Sequence, residues 1–513
     1  GLSFDTPIAY GEKAKARVGA SAAISKGKFA RNVIQGIEGV QGPYRLRGTD
    51  TGSIIIVLSG TERVFIDGLL LLRGQENDYV IDYNTAEITF TAKRLITKDR
   101  RITVEFQYSD KNYARSLVRL DHTVQWPKNT LRFNLYSEQD HRNQPLQQQL
   151  SDAERNVLRD AGDDALAATV PGVDSTGYAS DQVLYYRTDS LGYAPVYLYS
   201  THPDSALWRV TFTQTGAGTG DYVQQEFTPN GRVFRWVAPD TVNGVVVRRG
   251  DHAPVRVLVA PRAQQLITIG LDHAPNKRTS ATVELAYSNE DRNTFSPADD
   301  ADDQGYGLMA RGEHAIGISA RDSTLQLVVG AETEAISRNF RFVERYRAVE
   351  FDRNWNILGL ALTGDQVLAS SNVKLRSKGL GSISLGAGTF QVADSYRGWK
   401  QELVSEVKAG RTDVIGTASR LRTDVRNSDF LRHKGLAQHR FRSITVGFKD
   451  EHERNLFRAD ASSGLVTGSY EFHEWEAYVQ SPDTFKNKWR IAGGQRWDRA
   501  VRDSALTESA RAT

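Results

Sequence analysis

The sequence predicts a mostly-β chain: antiparallel outer-membrane β-barrel strands, a small β-sandwich and an inserted α+β domain. Three observations carry this reading. Between Gln265 and Ile336, short runs alternate apolar with polar residues and almost nothing helical intervenes. Ile267-Thr268-Ile269-Gly270-Leu271, Ala281-Thr282-Val283-Glu284-Leu285-Ala286-Tyr287 and the series Leu325, Leu327, Val329, Ala331 each give a strand one apolar and one polar face. No apolar run approaches the ~20 residues of a transmembrane helix, so any membrane crossing is made by strands. Hydrophobic residues make up 39% of the 513, low for a globular chain of this size and ordinary for a barrel with a wet interior.

Charge and cysteine content narrow the function classes. Lys plus Arg number 65 against 62 Asp plus Glu, which argues against a nucleic-acid binder with its usual basic excess. There are no cysteines, so disulfides and thiolate metal sites are excluded. The chain opens Gly1-Leu2-Ser3-Phe4 without a basic-then-apolar leader, which reads as a mature product or a segment of something longer.

The elements follow in order. Residues 1–36 alternate weakly and read as a leader segment or edge strand. Residues 37–115 read as a small β-sandwich. Ile54-Ile55-Ile56-Val57-Leu58, Arg63-Val64-Phe65-Ile66, Tyr79 to Tyr83, Glu87 to Thr91 and Arg101 to Tyr108 are its strands, and Asp67-Gly68 suits a tight hairpin. Residues 116–139 read as a β-hairpin turning at Trp126-Pro127-Lys128-Asn129. Residues 140–262 read as an inserted, mostly-β domain with one helix. Ser151-Asp152-Ala153-Glu154 has the form of a capping box, and Leu150, Ala153, Val157, Leu158 and Ala161 recur at helical spacing until Gly162. The Gly-rich run Gly216 to Asp221 precedes a strand rather than a helix, so it is a turn and not a phosphate cradle.

Residues 263–513 read as further antiparallel barrel strands, an incomplete barrel among the options. Expected strands include Trp355 to Leu362, Val373 to Arg376, Ser382 to Phe390, Glu402 to Ala409, Val414 to Leu421, Ser443 to Phe448, Trp475 to Gln480 and Trp489 to Gly493. At about 20 residues per strand plus connection this gives on the order of a dozen strands. Short connections such as Ala320 to Ser323 alternate with long ones such as Asn289 to Arg311. Trp355, Tyr396, Trp399, Trp475, Tyr478, Trp489 and Trp497 are placed as interfacial girdles. Glu402, Glu406 and Lys408 require their face to point into a wet lumen. The polar end, Glu508 to Thr513, is unlike the terminal strand of a closed barrel.

Lys26 to Asn32, Gln35 to Leu46, Glu62 to Gly68 and Asp78 to Phe90 resemble a module of large, poorly characterised cell-envelope proteins of Bacteroidota-type bacteria. Leu150 to Glu154, Asn230 to Trp236 and Tyr346 to Trp355 look similar too. The resemblance implies an outer-membrane or surface location and supplies no catalytic residues.

Candidate chemistry is sparse. Asp299-Asp300-Ala301-Asp302-Asp303 offers oxygens to a hard cation such as Ca²⁺, but lacks the Gly and Glu of an EF-hand loop, and Asp160, Asp163 and Asp164 invite the same idea. His473-Glu474-Trp475-Glu476 is not a zinc-protease helix, and His314, His439 and His452 lack ligand spacing. Glu332 and Glu334 share one strand face. No Gly-x-Ser-x-Gly elbow occurs. The most unusual stretch interleaves Arg338, Arg341, Arg345, Arg347 and Arg353 with Phe340, Phe342, Tyr346 and Phe351, next to Glu344, Glu350 and Asp352. It reads as a segment folded against a barrel interior through Arg–carboxylate ladders, or as a site for an anionic ligand or lipopolysaccharide.

The expectation is thus a non-enzymatic outer-membrane barrel for transport, secretion or surface assembly. It carries no cofactor, catalytic residue or assigned metal ligand. Its partners are outer-membrane lipid and other envelope proteins, with no nucleic acid. The rival is a soluble surface protein of stacked β-sandwiches acting as an adhesin or glycan binder.

Overall fold

The alternating runs pair into one large antiparallel sheet of seventeen strands. The computed structural model describes all residues except 11–13, 26, 50–54, 99, 110–112, 147–149, 229–230, 319–323, 461–462, 483, 503–504 and 510–513. Ile54, the turn Ala320 to Ser323 and the terminal Ala510 to Thr513 therefore lie outside the described residues. The first four strands are β1 (Leu2–Tyr10), β2 (Ala14–Ser25), β3 (Tyr113–Gln125) and β4 (Asn129–Pro145). Then come β5 (Ala263–Asn276), β6 (Thr279–Asp291), β7 (Gln304–Gly317), β8 (Gln326–Ile336), β9 (Gln366–Ser377) and β10 (Gly381–Val392). β11 (Tyr396–Ala409), β12 (Thr412–Thr423), β13 (Ser428–Arg440), β14 (Thr445–Leu456), β15 (Tyr470–Gln480), β16 (Arg490–Arg502) and β17 (Ala505–Ser509) complete it.

Each strand pairs with the next in sequence, β2 with β3 across one inserted domain and β4 with β5 across another. Strands hold 60% of the residues and helices 4%, so the class is mostly β. Among the described residues no pairing joins β17 back to β1.

Register divides the sheet into two faces, because directly paired residues point the same way. Leu385, Val373 and Val329 are paired across β10, β9 and β8, and all three are exposed. The same face carries exposed Phe4, Val118, Leu131, Ile269, Leu285 and Leu403, an apolar surface running from β1 to β11. The opposite face is polar: Glu332 pairs with Ser370, Ser370 with Gly388 and Gly388 with Lys400. Glu402, Glu406 and Lys408 lie on this polar face, two, six and eight residues beyond Lys400.

The apolar face does not continue around the whole sheet. On β12 to β16 the corresponding side chains nearer the domain end are charged and pair among themselves. Arg420 bonds Asp429, and Glu471 bonds both His452 and Arg499.

Both inserted domains leave the same end of the sheet, together with the connections 292–303, 337–365 and 457–469. Connections at the other end include the short 126–128, 277–278, 378–380 and 410–411. One inserted domain is two facing sheets. Lys28–Gln35, Ile56–Val57, Arg63–Ile66, Leu69–Leu70 and Arg101–Ser109 form one, and Tyr44–Arg45, Tyr79–Asp82 and Glu87–Phe90 form the other. Between them Leu46, Val64, Ile88, Phe90, Ile102, Val104, Phe106 and Tyr108 are buried, each contributing about 1.5–3 kcal/mol on removal from water. Asp67 (φ 51°) and Gly68 (φ 80°) take the left-handed conformations of a type I′ hairpin, which the Asp-Gly pair tolerates.

The other inserted domain opens on α1 (Asp152–Asp160), whose Leu158 packs with Ala168 and Leu258. Its capping box is complete: Ser151 accepts from the Glu154 N–H, and Glu154 accepts from the Ser151 N–H. Small antiparallel sheets follow, and residues 215–221 form a turn leading into the strand Tyr222–Thr228.

Several expectations need correction. The large sheet starts within the first residues rather than at 263, since β1 to β4 recruit the expected leader and hairpin. Trp355 to Leu362 is not a strand. A helical turn, α2 (Phe351–Asn354), is followed by coil in which Asn356 (φ 54°) and Gly359 (φ 74°) break any extended run. Trp355 is buried and Ile357, Leu360 and Leu362 are half-buried against the sheet, while Leu358 is exposed, so the apolar side chains do not alternate along a strand. The expected connection Asn289 to Arg311 shrinks to 292–303, because residues 304–311 belong to β7, where glycines and polar residues blur the alternation. β13 likewise falls outside the expected strands, because charged residues sit on both faces of Ser428–Arg440. Trp355, Tyr396 and Tyr478 are buried on the inner side, whereas Trp399, Trp489 and Trp497 are exposed.

Candidate functional site

The connection 337–365 crosses the polar face of the large sheet. Its Gln264 contact lies on β5, where the Gln264 Nε2 donates to the Phe342 carbonyl at 3.3 Å. Eleven residues later, Arg353 pairs with Glu453 on β14. On a flat sheet nine strand steps span roughly 43 Å at ~4.8 Å each. Eleven residues reach at most about 40 Å when fully extended, and this stretch contains a helical turn. With the reach of the Gln264, Arg353 and Glu453 side chains added, the segment spans the polar face from β5 to β14.

Aromatic anchors and arginines hold the segment in place. Phe351 and Trp355 are buried with Phe390, Val392, Tyr396, Leu421 and Phe430, an apolar knot on an otherwise polar surface. The Phe351 and Phe390 rings meet edge-on at 5.3 Å, and the Tyr396 hydroxyl donates to the Trp355 carbonyl. The arginines read from the sequence divide by role. Arg341 reaches Glu290 of β6 at 3.3 Å, Arg347 pairs with Glu334 of β8, and Arg353 pairs with Glu453 of β14.

Arg345 turns the other way, to Glu105 of the small sandwich, which is fully buried and also meets Arg63 at 3.5 Å. Arg101 and Arg31 of the sandwich answer with Glu350 at 3.2 Å and Asp352 at 3.3 Å. Arg338 is exposed; its backbone N–H donates to Asp365 at 2.9 Å, and its carbonyl accepts from Arg341 Nη1 at 2.9 Å. Four of the five arginines thus fasten the segment between sheet and sandwich. The ladder expected across one wall is in fact two-sided, which the sequence could not show because Glu105 lies 240 positions away from Arg345.

Beside the segment lies a cavity of about 950 Å³. The inner faces of β5 to β11 line it with Asp272, Arg311, Glu332, Lys374, Lys400 and Glu402, and Phe351 and Trp355 close one side. Arg132 bridges Asp272 at 3.0 Å and Glu284 at 3.6 Å, while the Lys400 ammonium lies 5.3 Å from the centre of the Trp355 ring. Glu334 is engaged by Arg347, whereas Glu332 opens to the cavity. The lining is wet, mixed in charge and suited to small polar or ionic solutes.

Two further groupings escaped the sequence reading. His433, His452 and His473 are directly paired on β13, β14 and β15, on the face opposite the segment. Asp450 accepts from both His433 and His473, the latter at 2.7 Å, while His452 turns to Glu471 at 2.9 Å. His452 is therefore not scattered. Intervals of 19 and 21 residues match one strand plus its connection, a signal present in the sequence.

The second grouping joins the two acidic stretches. Carboxylate oxygens of Asp163, Asp302 and Asp303 lie within 4.8 Å of one another. Burial, followed by the neighbouring carboxylates, pushes Asp303 up to about 7. Burial likewise lifts Asp163 to about 6, although the Arg292 charge pulls it down.

Residues 29–110, the small sandwich, match the family model of a domain of unknown function, DUF8818. No curated protein matches the chain.

Proposed function

We propose that the large sheet curls toward its polar face and forms the wall of an outer-membrane β-barrel, with 337–365 as an internal plug. In this reading the protein is a non-enzymatic component of transport, secretion or surface assembly at the cell envelope. The observation that carries it is the division of the sheet: an exposed apolar face from β1 to β11, and a polar face packed against an arginine-rich segment. Inserted domains and the longest connections at one end fit barrel asymmetry, with the sandwich docked on the plug to govern access to the cavity. The charged outer side of β12 to β16 is where another envelope protein contacts the wall.

That same charged surface is what favours the alternative, a soluble surface protein acting as adhesin or glycan binder. Fractionation of cells expressing the protein separates the two. The barrel reading expects an outer-membrane fraction whose gel mobility shifts on boiling. Release by a high-salt wash, with identical migration boiled or unboiled, overturns it.

A further inference from the structure

We propose that His433, Asp450 and His473 form a binding site for a divalent transition-metal ion, zinc first among them, on the outer face of the large sheet. β13, β14 and β15 each supply one ligand, and the site stands whether or not the sheet is a barrel wall. A nitrogen of each ring and an oxygen of Asp450 all lie within 4.8 Å of one another. His433 Nε2 closes on Asp450 Oδ2, and His473 Nε2 lies 2.7 Å from Asp450 Oδ1. Strand spacing alone does not bring the rings together. Strands on either side of a third stand roughly 9.6 Å apart. The His433 and His473 ring centres are only 6.3 Å apart, so both rings lean inward over β14.

The partners of Asp450 give a separate reason for a cation. Other carboxylates on this face hold arginines: Asp429 meets Arg420 at 2.6 Å, and Glu471 meets Arg499 at 3.3 Å. Among the described residues the Asp450 carboxylate bonds only the two imidazoles. An unprotonated imidazole brings a hydrogen bond without a charge, whereas a metal ion brings the charge and takes the ring nitrogens as ligands. Two nitrogens and a carboxylate oxygen, with no sulfur, suit zinc, copper or nickel better than calcium or magnesium. His452, between the two rings, is not a ligand. Its Nε2 is held by Glu471 at 2.9 Å, and its ring walls the site, 5.4 Å from His433 and 5.6 Å from His473. Three protein ligands leave a fourth tetrahedral position open, and the 40% and 41% exposure of His433 and His473 turns it outward.

The test is isothermal titration of ZnCl₂ into the untagged, EDTA-stripped full chain in detergent, with melting curves alongside. One zinc ion per chain and a higher melting temperature are expected. His433→Gln, Asp450→Asn and His473→Gln should each weaken binding at least about tenfold, the loss that even outer partners of metal ligands produce. His439→Gln, further along β13 and outside the cluster, should bind as wild type does. Diethyl pyrocarbonate labelling of the wild type, mapped by mass spectrometry, reads the site without any substitution. ZnCl₂ should shield His433 and His473 and leave the labelling of His439 unchanged. Absence of heat up to millimolar ZnCl₂, unchanged affinity in either histidine variant, or equal labelling of His433 and His473 with and without zinc would overturn the site.

Discussion

Arg347 and Glu334 join the crossing segment to the inner face of β8. Arg347 Nε lies 3.0 Å from Glu334 Oε1, Nη2 closes on the same oxygen, and Nη1 donates to Gln366 Oε1 at 2.8 Å. Both side chains are more than four-fifths buried, and the guanidinium sits 4.4 Å from the centre of the Phe351 ring. Glu334→Ala leaves that guanidinium buried without its counter-charge, a loss of about 3–5 kcal/mol. Arg338→Ala, at an exposed position, should stay within about 0.5 kcal/mol. Denaturation midpoints of the two variants in detergent check the contrast. Equal midpoints would remove the segment from the energetics of the sheet.

The Arg345 pair with Glu105 makes a different prediction, because it joins two separate parts of the fold. Glu105→Ala and Arg345→Ala should each raise hydrogen exchange across 345–353 while leaving the sandwich core at Ile102 and Val104 protected. Combining Glu105→Ala with Arg345→Ala removes both charges and should recover part of the loss, with a coupling of about 0.5–3 kcal/mol. Strict additivity would mean that the sandwich docks without this pair.

The start of α1 gives a pH-dependent prediction. Hydrogen bonds from the Ser151 N–H and hydroxyl, and then Arg256, hold the Glu154 carboxyl below its ordinary 4.5. A carboxyl depressed on folding stabilises the fold fully above the unfolded value and loses that contribution as pH falls through the folded value. The cap should therefore be intact from neutral pH down to about 5 and weaken below about 4. Ser151→Ala should cost about 1 kcal/mol at pH 7 and less at pH 3. Exchange rates of the Val157 to Asp160 amides at the two pH values measure it.

Local chemistry was legible where it is decided locally. Asp67-Gly68 announces its turn because the dipeptide accepts two positive φ angles, and Ser151 with Glu154 announces a helix start because both partners lie within one turn. Strands β5, β6 and β8 to β12 follow from alternation, apart from the coil around Trp355, whereas most of β7 falls within an expected connection. What escaped depends on pairing between distant segments. Weak alternation in residues 14–25 hides a strand whose small residues fit against β3, and nothing local says that Asp163 meets Asp302. The Trp355 region misled because apolar residues can be buried against a sheet without joining it.

A barrel wall requires the apolar face of the large sheet to meet lipid and the polar face to meet water. The sequence has no cysteine, so single cysteines can be placed on either face without background. Leu285→Cys and Leu385→Cys sit on the apolar face, and Ser384→Cys and Asn372→Cys on the polar one. In intact outer membranes, a water-soluble maleimide should label Ser384→Cys and Asn372→Cys and leave Leu285→Cys and Leu385→Cys unmodified until detergent is added. Ready labelling of the two leucine positions in membranes would show that this face is in water, and the barrel account would fall.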